Sequence, residues 1–149
     1  MRTFLILVYF TLSGCSNVGT KFNVSELRLS SNTNAIVFFY RPSRFLGSAV
    51  PFPIIANNIE AGKSDNYAYK KIGSLENGAF FKIIMIPGTY KLHSDTLAID
   101  KISTTTFEAG KIYFVRCFMD AGLGDTSINF IVVDNNEALL EIKNTALQL

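Results

Sequence analysis

Apolar residues in this chain come in short runs broken by turn formers. Residues 72–92 show the pattern: Ile72-Gly73-Ser74-Leu75, then Asn77-Gly78, then Ala79-Phe80-Phe81-Lys82-Ile83-Ile84-Met85-Ile86, then Pro87-Gly88, then Thr89-Tyr90-Lys91-Leu92. Asn-Gly accepts the positive φ of a tight turn, and Pro-Gly suits a type II turn. Two turns this close leave the run between them too short for a helix, so it is predicted as a strand. Alternation places Phe81, Ile83 and Met85 on one face and Phe80, Lys82, Ile84 and Ile86 on the other. Both faces are largely apolar, so both are expected to be covered.

The run at 35–40, Ala-Ile-Val-Phe-Phe-Tyr, is apolar on both faces and is predicted as a central strand. Arg41-Pro42-Ser43-Arg44 ends it, because proline cannot donate to a ladder. Residues 45–50 read as a loop, 53–56 as a short strand and the polar stretch 57–71 as a long surface hairpin loop. Further strands are predicted at 89–94, 104–108, 111–119 and 126–133, with 104–108 and 111–119 forming a hairpin around Ala109-Gly110. In 111–119, Tyr113, Val115, Cys117 and Met119 share one face, and Ile112, Phe114, Arg116 and Phe118 the other. Asp134 is placed to cap a C-terminal helix, with Glu137 three residues on as in a capping box and Leu139, Ile142 and Ala146 on one face. The expectation is a mainly β protein, an antiparallel β-sandwich over residues 35–149 with a short C-terminal helix.

Composition narrows the partners. A chain of 149 residues suggests one domain, and its 13 Phe and 6 Tyr favour strands and supply a core. A net charge of +2 argues against nucleic acid, whose binders carry a clear excess of Lys and Arg.

The N-terminus reads as a processing segment. Arg2 gives a minimal positive start, and residues 4–12 form an apolar stretch too short to cross a bilayer core of about 30 Å as a helix. It ends in Leu12-Ser13-Gly14-Cys15, which resembles the lipobox of bacterial lipoproteins. The alternatives are an ordinary signal peptide with a chance cysteine and a buried N-terminal strand. The resemblance implies cleavage between Gly14 and Cys15 and acylation of the Cys15 thiol by membrane lipid. More than one acyl chain makes such attachment effectively permanent. In Gram-negative lipoproteins an Asp after the cysteine commonly signals inner-membrane retention. If the source is Gram-negative, Ser16 therefore favours a lipid anchor in the outer membrane facing the periplasm. Residues 16–34 are rich in Ser, Asn and Thr and read as a tether, within which 24–29 is either a helical turn or a short strand.

The order Tyr40-Arg41-Pro42, Ile72-Gly73-Ser74-Leu75 with Asn77-Gly78, Pro87-Gly88-Thr89-Tyr90 and Ala109-Gly110-Lys111-Ile112-Tyr113-Phe114-Val115 resembles the bacterial lipoprotein family known as domain of unknown function 2846. The resemblance covers residues 34–140 and implies an all-β fold and an envelope address, but no activity and no site. The turn–strand–turn segment is also similar to small Ig-like sandwiches such as carboxypeptidase-regulatory-like domains.

Candidate chemistry is sparse. His93 is the only histidine, and His93-Ser94-Asp95 are consecutive, so in a strand they point to opposite faces and form no triad; an edge or loop position is expected. One histidine and an acylated Cys15 leave no metal set, and no cofactor is expected. Cys117 reads as a small buried hydrophobe. Gly122-Leu123-Gly124 lacks the third glycine of a dinucleotide site, and Asp120, Asp125 and Asp134 are too scattered for a calcium loop. Two groups remain. Tyr40, Arg41 and Arg44 are candidates for binding an anion or acidic partner, or else a solvated strand end. Tyr67 and Tyr69 are candidates for a protein contact, or else a plain loop. The leading expectation is a membrane-anchored lipoprotein of the bacterial cell envelope, a non-enzymatic structural or binding module. The others are an envelope enzyme or enzyme inhibitor acting through Arg41 and Arg44, and an accessory subunit of a secretion or surface complex docking through Tyr67 and Tyr69.

Overall fold

The computed structural model describes residues 20–23, 27, 33–59, 70–96, 101–121 and 126–147. The strands are β1 (Ala35–Tyr40), β2 (Phe52–Asn58), β3 (Lys70–Leu75), β4 (Ala79–Met85), β5 (Gly88–His93), β6 (Ser103–Phe107), β7 (Ile112–Ala121), β8 (Thr126–Val133) and β9 (Ala146–Leu147). Helix α1 (Asn135–Ile142) lies between β8 and β9 in sequence. The larger sheet runs β8-β7-β1-β4-β9 and the smaller β3-β2-β5-β6. The protein is thus mainly β, two sheets with one short helix near the C-terminus, as the sequence pattern indicates.

Two cores explain why β1 is apolar throughout. All six of its residues are buried. Ala35, Val37 and Phe39 pack between the sheets with Phe52, Ile54, Leu75 and Leu92. Ile36, Phe38 and Tyr40 pack in a second core with Phe80, Phe114 and the helix residues Ala138 and Ile142. β7 divides the same way, Val115 and Cys117 to the first core and Phe114 to the second.

β4 departs from its expected two-sided cover. Ala79, Phe81, Ile83 and Met85 join the inter-sheet core, but of its other face only Phe80 is buried. Lys82 is exposed, and Ile84 and Ile86 are 55% and 70% exposed. The helix is eight residues, about 12 Å, long, and cannot roof the whole sheet.

The turns lead between sheets. After β3, Ala79 N donates to Glu76 O (3.3 Å) with Gly78 at φ 74°, and the chain passes to the larger sheet. The type II turn expected at Pro87-Gly88 is absent. Such a turn needs φ near about +80° at the glycine, whereas Gly88 has φ 149° and is the first residue of β5. A Cβ there would lie 2.6 Å from Asn58 Nδ2. Nor do 104–108 and 111–119 form a hairpin: β6 pairs with β5, and β7 runs parallel to β1. The cause lies in the turn. Gly110 N donates to Asn34 O and Ile36 N to Lys111 O, both at 3.0 Å, so β7 starts alongside β1.

Three boundaries also move. Asn57, Asn58, Lys70 and Lys71 belong to strands, which shortens the expected surface loop from both ends. Asp134 Oδ1 accepts from Asn136 N (2.8 Å) as the helix cap, but Ala146 leaves the helical face and pairs with Ala79 in β9. The expected tether is packed on the domain where it is described. Lys21 bridges to Ala146, Leu147 N donates to Thr20 O (2.7 Å), and the Phe22 ring meets Phe38 and Phe80 edge-on at 5.5 Å.

Candidate functional site

The strand end at Tyr40-Arg41 is one of the two sequence candidates, and alternation splits it. Arg41 N donates to Ala79 O (2.9 Å), which carries the ladder one residue past β1. Tyr40 therefore faces the helix and Arg41 the space between the sheets.

Arg41 is only 2% exposed. Its Nη1 donates to Val50 O (2.6 Å) and, at 3.4 Å, to Leu75 O; its Nη2 donates to Gly47 O (2.6 Å). The guanidinium carbon lies 3.5 Å from the Phe52 ring centroid. Carbonyl dipoles and a ring face replace water around the charge, and burial lowers the pKa from its ordinary value. Both Nη atoms are turned to these carbonyls and away from solvent. The guanidinium expected to bind an anion is the internal brace of the loop that follows.

That loop, residues 42–51, is also held from outside. Arg44 N donates to Asn77 Oδ1 (2.9 Å), and Asn77 Nδ2 reaches Ser43 Oγ at 3.4 Å. Ser48 N donates to Phe45 O (3.2 Å) and Val50 N to Gly47 O (2.9 Å). Gly47 takes φ 74°, where an added Cβ would lie 2.8 Å from Met119 Sδ. Held this way, the loop presents Phe45, 98% exposed, and Leu46, 50% exposed, beside the exposed Arg44. Sequence reasoning missed this pair. The signal was an apolar dipeptide amid Pro42, Ser43, Gly47 and Ser48, turn formers that keep it out of any core. A shallow hollow of 330 Å³ lined by Ser48, Ala49, Pro51, Glu76 and Asn77 adjoins the loop.

On the helix side, Tyr40 OH donates to Glu141 Oε2 (2.6 Å). Arg116 Nη1 donates to Glu141 Oε1 (3.0 Å) and Glu137 Oε1 (2.8 Å). Burial first, then the hydrogen bond and negative charge of Glu141, push the Tyr40 pKa well above its ordinary value. This polar seam fastens α1 to β1 and β7.

The remaining candidates fall elsewhere. His93 is buried at the end of β5, an interior strand, opposite Ile55 rather than at an edge; Ser94 is buried and Asp95 exposed. Cys117 is fully buried, and burial raises its pKa despite the nearby Arg41 charge. Among the described residues, no group of three or more His, Cys, Asp or Glu is placed to hold a metal, and no helix is long and apolar enough to cross a membrane. Gly14, Cys15, Tyr67 and Tyr69 lie outside the described residues. No family model, no curated protein and no solved structure matches the chain.

Proposed function

We propose that this protein is a bacterial envelope lipoprotein whose β-sandwich is held at the membrane through acylated Cys15 and serves as a non-enzymatic structural or binding module. The observation that carries the reading is Leu12-Ser13-Gly14-Cys15 at the end of a nine-residue apolar stretch that follows Arg2. A thiol accepts the diacylglyceryl group, and the small residues before it admit the peptidase. The resemblance to domain of unknown function 2846 supports the same address, and in a Gram-negative source Ser16 favours the outer membrane. The burial of Arg41 counts against the enzyme or inhibitor reading, which needed that guanidinium at the surface.

Metabolic labelling with a fatty acid tests the anchor. Label is expected on the wild-type protein and absent from Cys15→Ala. Unlabelled wild type, or label that survives the substitution, overturns the reading.

A further inference from the structure

We propose that the Phe45-Leu46 loop tip inserts into the surface of the bilayer that holds Cys15, so that the domain meets the membrane at two points. The inference rests on the lipid anchor proposed above.

Three observations carry it. The first is reach. Thr20 is already bonded to the domain through Leu147 N (2.7 Å). Four residues, 16–19, separate it from Cys15, so the five Cα–Cα steps span at most about 18 Å when fully extended. An acylated Cys15 therefore keeps the body against the bilayer instead of on a long leash.

The second is position. Thr20 lies beside β9, and Ala146 N of β9 donates to Gly78 O (2.9 Å). With neighbouring strands about 4.8 Å apart, Thr20 stands roughly 10 Å from the Gly78 turn. A Cβ on Gly78 would meet Ser43 Cβ at 3.4 Å, so this turn touches the loop that carries Phe45. The anchor's origin and the apolar tip are near neighbours.

The third is construction. A loose loop would fold a phenyl ring back onto the protein. Here Arg41 from below and Asn77 from the side hold the backbone, and the ring stays 98% exposed with Leu46 next to it. A rigid apolar tip with an arginine at its base is suited to the boundary between headgroups and acyl chains, where Phe and Leu bury and a guanidinium meets phosphate. Arg44 and Glu76 are both exposed at this end, so opposite charges offset and the contact is chiefly apolar.

The chain has no tryptophan, so a single indole reports its own surroundings. The acylated full-length mature protein carrying Phe45→Trp is reconstituted into phosphatidylcholine vesicles containing brominated acyl chains. Ile86→Trp, 70% exposed beyond the far end of β4, is the comparator. Brominated lipid is expected to quench Phe45→Trp emission about twofold and to leave Ile86→Trp nearly unchanged. Equal quenching, or none, in protein whose Cys15 acyl mass is confirmed overturns the loop contact and leaves the anchor standing. Protein that lacks the acyl mass and does not float with vesicles removes the anchor and this inference together. An emission shift that follows protein concentration without lipid indicates a second copy as the occupant and also overturns it.

Discussion

The guanidinium carbon of Arg41 sits 3.5 Å above the ring of Phe52, with both residues sealed between the sheets. The charge is tolerated because Gly47 O and Val50 O each accept from it at 2.6 Å. Arg41→Ala removes these bonds and leaves a void over the ring, with an expected loss of about 3–5 kcal/mol in chemical denaturation. Arg41→Lys should recover less than half, since one ammonium nitrogen does not replace two separate Nη donors or stack flat on the Phe52 ring. Full recovery by lysine would contradict the bracing role.

Gly73 of β3 faces Phe81 of β4 so closely that an added Cβ would lie 2.5 Å from the ring tip. The ring is backed by Phe39, stacked at 5.4 Å, and has little room to retreat. Gly73→Ala is expected to cost about 1–3 kcal/mol. Adding Phe81→Leu should return part of that loss, which a double-mutant cycle reads directly. Purely additive effects would mean the two positions do not touch.

Alkaline pH should weaken the fold. Tyr40 and Cys117 both have raised pKa values when folded, so the folded chain keeps protons that the unfolded chain releases. Their contribution is present below the unfolded values, about 8.5 for cysteine and about 10 for tyrosine, and is lost as pH rises above them. Each group adds a slope of about 1.4 kcal/mol per pH unit in that window. Denaturation midpoints followed from pH 7 to about 11 should bend downward, and Tyr40→Phe should flatten the upper part of the curve.

Cys117 should resist thiol reagents in the native state. The side chain is fully buried, and the thiolate is the reactive form. Alkylation is expected only at the rate at which the sandwich opens, rising sharply at the denaturant midpoint. Rapid labelling in buffer would contradict the packing around β7.

Legibility followed the range of each cause. The β1 and β8 strands and the Asp134 cap were readable because their signals are local: apolar residues on every position, turn formers at the ends, a cap before an amphipathic stretch. Turns were readable as turns, but not where they lead. Asn77-Gly78 and Ala109-Gly110 carry the same residues whether the next strand returns to its own sheet or crosses to the facing one. The choice is made by distant bonds, such as Gly110 N to Asn34 O. Arg41 was misplaced for the same reason. An arginine before a proline looks solvated, and only the carbonyls of a loop not yet folded make its burial favourable. Phe45 and Leu46 were legible in principle, as apolar residues stranded among turn formers.

The parallel pairing of β1 with β7 has a consequence for the nascent chain. Ala35–Tyr40 is completed only when Ala79–Met85 and Ile112–Ala121 arrive on its two sides. Until the C-terminal half has been made, an uncharged, wholly apolar hexapeptide stands with the edge that β7 will cover still open, the kind of segment that nucleates aggregation. Truncation anywhere before β7 should therefore yield an insoluble product, not a smaller sandwich.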